Sequence, residues 1–290
     1  DSGDITIAVS GNEATIYYAR NSYDYVIHHV EKDNETNVLA EDTTGSAAFG
    51  SVIDVAAAAK TITGFAYDSN SGNITIAVSG NEATIYYTRN SYSYVIHHVE
   101  KGTTTEIAND TTGSAAFGSV IDVTAAAKTI TGFSYDSDSG DITIAVSGNE
   151  ATIYYARNSY DYVIHHVEKD NETNVLAEDT TGSAAFGSVI DVTAAAKTIT
   201  GFSYDSDSGD ITMAVSGNEA TIYYTRNSYK VTYDYTGIVP AGATALPAEA
   251  SYKYGDAVTV AAAASATGYT FSGWDHTNFT MPTEDVTIKG

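Results

Sequence analysis

The sequence predicts a mostly β chain, a tandem array of small modules forming an elongated rod, and three observations carry that expectation. The first is a long internal repeat. The segment Tyr-x-Tyr-Val-Ile-His-His-Val-Glu-Lys opens at Tyr23, Tyr92 and Tyr160, and its echo Tyr229-Lys230-Val231-Thr232-Tyr233 opens a final stretch, at spacings of 69, 68 and 69 residues. Ser22–Asn90 differs from Ser159–Asn227 at five positions only (Ala56/Thr193, Ala66/Ser203, Asn70/Asp207, Asn73/Asp210, Ile76/Met213). A fixed period of this kind marks arrayed modules rather than one large core. The second is composition: 23 Tyr and 24 Gly against 3 Pro, with Thr-rich runs, favour strands and turns. The third is the joints, such as Thr88-Arg89-Asn90-Ser91-Tyr92, which carry no flexible linker and predict stiff end-to-end packing. A compact unit of this length has a radius of gyration of about 11 Å, so four in line make a rod on the order of 100–150 Å.

The repeat divides the chain at 1–21, 22–90, 91–158, 159–227 and 228–290. Residues 1–21 read as the closing hairpin of a preceding repeat. Ile5, Ile7 and Val9 alternate with Thr6 and Ala8, Ser10-Gly11-Asn12-Glu13 turns, and Ala14-Thr15-Ile16-Tyr17-Tyr18 runs back. The same hairpin is expected around Gly80, Gly148 and Gly217. The chain opens at Asp1 inside a repeat with no signal peptide or anchoring signal, so a piece of something longer is expected.

Each full repeat begins with a strand, Tyr23–Glu31 in the first. Tyr25, Ile27 and His29 share one face and Val26, His28 and Val30 the other; neither face is cleanly polar, which suits a central strand. Lys32–Asn37 is a polar turn that shortens by one residue in the second repeat (Lys101 to Thr105), as exposed loops do. Val38 to Thr44 should be the returning strand and Gly45 to Gly50 a turn. Val52–Ala57 alternates. The alanine run Ala56–Ala59 is too short to nucleate a helix alone and reads as a strand end or one helical turn. Thr61–Tyr67 is extended, and the hairpin closes a unit of five or six short strands. The last stretch departs from this pattern, with Pro240, Gly242 and Pro247 in its turn and a lone Trp274 expected to anchor its core.

The opening aromatic strand, Leu39-Ala40, Gly45, Gly50, the alanine-lysine stretch, Gly64-Phe65-x-Tyr67 and a closing strand ending Tyr-Tyr resemble the MucBP (mucin-binding protein) repeats of Gram-positive bacterial surface proteins. Gly268-Tyr269-Thr270-Phe271-Ser272-Gly273-Trp274 resembles the Listeria–Bacteroides repeat seen near internalin B-repeats. Both resemblances imply compact β-grasp-like modules on extracellular, cell-surface proteins, often adhesins. The first-strand histidines depart from the usual MucBP pattern.

Charge and residue types narrow the function. The chain holds 37 acidic and 13 basic side chains, a net charge of −24, which argues against nucleic-acid backbones and anionic membranes as partners. Cysteine is absent, which fits a bacterial surface protein or a cytosolic one better than a disulfide-stapled secreted eukaryotic one. No apolar run approaches the roughly 18–20 residues that cross a bilayer, so no membrane insertion is expected in this segment. No nucleophile motif, phosphate loop or paired-acid arrangement stands out, so no catalytic residue and no enzyme are expected.

Four constellations remain. The pair His28-His29, with His97-His98 and His165-His166, invites a metal, but strand neighbours point to opposite faces, so a site needs partners from another strand. Asp136, Asp138 and Asp141, with Asp205, Asp207 and Asp210, place oxygens at alternate positions beside a glycine. That spacing suits Ca²⁺, the one candidate cofactor, although such residues also simply make turns. Lys60, Lys128 and Lys197 admit an isopeptide bond. Arg20, Arg89, Arg157 and Arg226 recur at the joints and are expected to hold them. The expected function is the stalk of a bacterial adhesin, a monomeric rod projecting a distal binding domain. The alternatives are that the tyrosine-rich modules bind host glycan or mucin themselves, or that the chain is a filament subunit.

Overall fold

The computed structural model describes residues 6–8, 10–11 and 13–290. The chain forms two compact units, the first running to Lys128 and taking in Tyr135–Tyr155, the second holding Thr129–Ser134 and Ala156–Gly290.

In the first unit, β1 (Ser22–Glu31), β2 (Asn34–Ala48), β3 (Val52–Ile53), β4 (Phe65–Asn70), β5 (Ile74–Thr75) and β6 (Glu82–Arg89) make one repeat. The main sheet has the order β2-β1-β6-β4. Its central pair β1 and β6 is parallel, in register from Val26↔Glu82 to Glu31↔Tyr87, and its flanking pairs are antiparallel. A parallel pair needs a crossover of a dozen residues or more, and β3, a single 3₁₀ turn at Ala56–Ala58, β4 and β5 supply it. The next repeat follows with β7 (Ser91–Glu100), β8 (Glu106–Ala116), β9 (Val120–Ile121), β10 (Phe133–Asp138), β11 (Ile142–Thr143) and β12 (Glu150–Arg157), in the order β10-β12-β7-β8. These are the small β-grasp-like modules expected from the sequence.

The alternation of β1 settles the core. Ile27 and His29 are wholly buried, and Ile27 packs with Val55, Ile74, Ile76, Ala83, Ile85 and Tyr87. Burying one such side chain stabilises by roughly 1.5–3 kcal/mol, so a module this lean depends on each of them.

The second unit repeats the plan with β13 (Ser159–Glu168), β14 (Asn171–Ala185), β15 (Val189–Ile190), β16 (Phe202–Asp207), β17 (Ile211–Thr212) and β18 (Glu219–Arg226), and Met213 takes the core place of Ile76. It ends in a sheet of order β20-β19-β23, from β19 (Ser228–Asp234), β20 (Ala250–Lys253) and β23 (Val286–Lys289), with β21 (Ala257–Val258) paired to β22 (Phe279–Thr280). Here Trp274 packs against Tyr233 at 5.0 Å and Phe271 at 4.9 Å between ring centroids, its indole N–H donating to the carbonyl of Ala262. It lines that core as expected.

Two expectations need correction. The strands flanking Gly80 do not form a hairpin: β5 pairs antiparallel with β3, and β6 pairs with β1. Buried Asn81 redirects the chain, its side chain bridging both main-chain polar groups of Ala77 and the carbonyl of Asp24. Asn149 and Asn218 do the same in the other copies. Gly45 is not in a turn but within β2, facing Tyr25; a Cβ there would lie 2.5 Å from the Tyr25 hydroxyl, so the aromatic ring lies across the gap the glycine leaves. The closing hairpin expected over residues 1–21 falls partly outside the described residues, and its positions 13–21 are in no strand. Ile16, Tyr17 and Tyr18 are exposed and outside any strand, while Ile5, Val9 and Asn12 lie outside the described residues.

Candidate functional site: the joint between consecutive sheets

A joint recurs along the chain, built from the end of one closing segment and the start of the next sheet. In the first unit, β6 ends at Arg89 and one residue, Asn90, leads into β7. Asn90 is tied on both sides: its N–H donates to the carbonyl of Gly64, and its own carbonyl accepts from Phe117 N–H, each at 2.8 Å. Phe117 sets its ring edge-on to Phe65 at 5.9 Å and to Tyr92 at 6.3 Å. Gly64 makes this approach possible, since its φ is +84° and a Cβ would lie 2.3 Å from the Phe117 ring.

Arg89 ties the joint together. Its Nε and Nη2 donate to the two oxygens of Glu31, its Nη1 donates to the Phe117 carbonyl at 2.9 Å, and its guanidinium stands 5.8 Å from the Phe65 centroid. The fork-on-carboxylate geometry is what a guanidinium matches and an ammonium does not. Glu31 is buried, and the hydrogen bond from Arg89, with a second from Asn37, holds its carboxyl below the usual range.

The pattern recurs in the second unit. Arg157 donates through Nη1 to the carbonyl of Phe186 at 2.9 Å, beside an edge-on pair of Phe133 and Phe186. Arg226 binds Glu168 through Nε, Asp256 through Nη1 and the carbonyl of Tyr254, where Tyr254 takes the part of the phenylalanine against Phe202. Glu168 is held low by Asn174 first and also by Arg226. Arg20 reaches the Phe49 carbonyl at 3.3 Å, and Phe49 is half exposed with Tyr23 beside it. All four arginines thus approach the same carbonyl of the following sheet. The sequence did not place Glu31, the glycine or the aromatic pair at the joint; the recurring Gly-Phe and Ala-Phe-Gly strings were the available signal.

The other candidates are dispersed. Asp136 is paired with Lys101, Asp138 accepts from Tyr135 hydroxyl and Gly140 N–H, and Asp141 accepts from Val123 N–H. In the next copy Asp205 pairs with Lys169, Asp207 accepts from Tyr204, Thr193 and Gly209, and Asp210 from Val192 N–H. Each carboxylate is taken up by its own protein donor. Lys60, Lys128 and Lys197 each put Nζ on a main-chain carbonyl, of Glu41, Asn109 and Glu178.

The histidine pairs divide by face. His28, His97 and His165 lie on the outer side against Asp42, Asp110 and Asp179. His29 is in the core, with Nδ1 hydrogen-bonded to the Tyr87 hydroxyl at 3.0 Å and Nε2 to Thr43 Oγ1 at 2.9 Å, and the same Tyr87 hydroxyl accepts from Lys60 N–H. Burial lowers the pKa of His29, as it does for His98 and His166, which have the equivalent partners.

The MucBP domain matches three stretches of the chain, residues 26–88, 95–156 and 163–236. No curated protein matches. Among solved structures, the Bacillus anthracis TIE protein is similar over 94% of this chain at 9% identity and a TM-score of 0.34; the chain spans 65% of that protein's length. Two B repeat units of the collagen binding protein of Staphylococcus aureus align over 93% of this chain and 99% of theirs at 10% identity and a TM-score of 0.14. No helix among the described residues is long and apolar enough to cross a membrane.

Proposed function

This chain belongs to the MucBP-domain family, and from that premise we propose that it is a non-enzymatic stalk segment of a bacterial cell-surface adhesin, which holds a distal binding domain away from the cell. The observation that carries the reading is the joint: a one-residue connection, tied by two main-chain bonds and clamped by an arginine and an aromatic edge contact. A chain of independent binding beads would need no such fixture, whereas a spacer that transmits distance does. Family membership supports an extracellular location, and the surplus of acid keeps neighbouring stalks apart. The divisions at residues 22, 91, 159 and 228 are proposed as the module borders, and the last module as a relative of the internalin B-repeat type.

Small-angle scattering of the whole chain tests this. An extended particle, unchanged by calcium and made more flexible by Arg157→Ala, is the expected result. A compact particle, or scattering indifferent to the loss of Arg157, would overturn it.

A second reading, that the modules themselves bind host mucin or glycan, rests on one recurrent feature. Tyr67, Tyr135 and Tyr204 are exposed at the same place in each repeat, each hydrogen-bonded to Asn70, Asp138 or Asp207. The other tyrosines of residues 22–227 are buried or half-buried, so one ring per module is available for stacking on a sugar. Mucin retention by the full chain that is lost when these three become alanine would favour this reading over the stalk alone.

A further inference from the structure

The second repeat departs from its near-identical neighbours in a way that assembles three metal-ligating side chains. In every repeat the outer histidine of the first strand meets an aspartate of the second: His28 with Asp42, His97 with Asp110 and His165 with Asp179, at 3.0, 2.9 and 3.0 Å. The register explains why. Between Ile96↔Thr111 and His98↔Ala108, β8 carries an extra residue, so two residues, Asn109 and Asp110, face His97. Lys128 Nζ donates to the Asn109 carbonyl and fixes this bulge.

A second register shift follows between His98 and Val99, and it places Glu106 opposite Val99. Val99 lies two residues from His97 and so on the same face; its cross-strand partner shares that face. The corresponding pairs in the other repeats are Val30↔Val38 and Val167↔Val175. Only the second repeat has a carboxylate there. Its ligand atoms and those of His97 and Asp110 lie within 4.8 Å of one another, a separation that side-chain rotation alone can close onto one ion.

We propose that His97, Glu106 and Asp110 bind a divalent transition-metal ion, with Zn²⁺ as the best fit, at one position in the chain. One imidazole nitrogen with two carboxylate oxygens suits a borderline ion rather than Ca²⁺ or Mg²⁺, which take oxygen shells. Three protein ligands leave a fourth tetrahedral position for water or for a donor from another molecule. The site is distinct from the acidic Asp-Ser loops and from the joints, and it does not rest on the stalk reading. All three residues are at least partly exposed, so the ion would exchange with solvent rather than serve as a folding staple.

The test is calorimetric titration of ZnCl₂ into the whole chain and into Glu106→Val. The valine variant installs the residue both neighbouring repeats carry, so its fold is supported by two near-copies. The expected result is one saturable Zn²⁺ per wild-type chain and affinity at least about tenfold weaker in the variant, the scale that even outer-shell changes reach. Val38→Glu should add a second equivalent by building the triad in the first repeat. Absence of saturable binding to the wild type would overturn the proposal. So would equal affinity in Glu106→Val, or three equivalents in both proteins, which would assign binding to the His–Asp pairs alone.

Discussion

The octapeptide Glu-Ala-Thr-Ile-Tyr-Tyr-Ala-Arg occurs at residues 13–20 and again at 150–157, and the two copies have different structures. The second copy is β12, a central strand in parallel register with β7, in which Ile153 and Tyr155 are wholly buried. In the first copy Ile16, Tyr17 and Tyr18 are 73%, 88% and 89% exposed, and no residue is in a strand. Local propensity is identical by construction. What differs is the neighbour: β12 lies beside β7, the opening strand of its own repeat, whereas residues 13–20 pair with no strand among the described residues. Strand formation here is a tertiary event, as β propensity measured in different contexts would suggest.

The largest effect should come from deleting the same apolar group in both copies. Ile153→Ala should destabilise its module by about 2–5 kcal/mol through lost burial and the cavity left behind. Ile16→Ala should stay within about 0.5 kcal/mol, as for an ordinary surface change. Urea unfolding of both variants measures the contrast, and equal losses would mean that the first copy is docked in solution.

Next comes the hydroxyl of the second tyrosine. Tyr155→Phe should cost about 1–3 kcal/mol, because Lys128 N–H and His98 Nδ1 both lose their partner in the interior. The matching Tyr18→Phe should be silent. Thermal unfolding followed by circular dichroism distinguishes the two.

The terminal arginines sharpen the comparison at the joint. Arg157→Ala should lower stability by about 1.5–3 kcal/mol, the range for hydrogen bonds to charged groups, and Arg20→Ala by less. Denaturant midpoints for the two variants give the ranking. A larger loss at Arg20 would place the first joint, not the later ones, at the centre of the array.

The smallest expected effect is with pH. His98 is kept neutral in the fold by burial, so its native pKa lies below its unfolded value of about 6.5. The unfolded chain therefore takes up protons that the native state refuses. The stability from a neutral, doubly bonded His98 is complete above about pH 6.5 and is lost as pH falls toward the native pKa. Lys128 and His97 disfavour its protonation and Asp110 favours it. Unfolding midpoints measured from pH 7.5 down to 5 should fall, and His98→Gln should flatten that slope.

The repeat itself made much of the architecture readable. The alternation in Tyr23–Glu31 placed a central strand, the short alanine run became one helical turn, and composition argued for β structure throughout. The hairpin reading of Ile74–Tyr87 failed because period-2 alternation reports a strand but not its partner. The side chain of Asn81, which sends the two strands to different sheets, looks in sequence like any turn asparagine. The joint was legible as a recurrent arginine. Its Glu31 partner looked like the polar end of a strand, since a carboxylate 58 residues away carries no local sign of the pairing.

By itself the sequence determined the period, the strand content, the lean apolar core and the acidic surface, because these follow from residue type and spacing along one chain. Tertiary structure alone decided which strand each closing segment joins, which of two adjacent histidines is buried, and that Glu106 shares a face with His97 and Asp110. Those are contacts between residues many positions apart, set by register and bulges. A one-residue shift in pairing carries a side chain to the opposite face without changing a letter of the sequence.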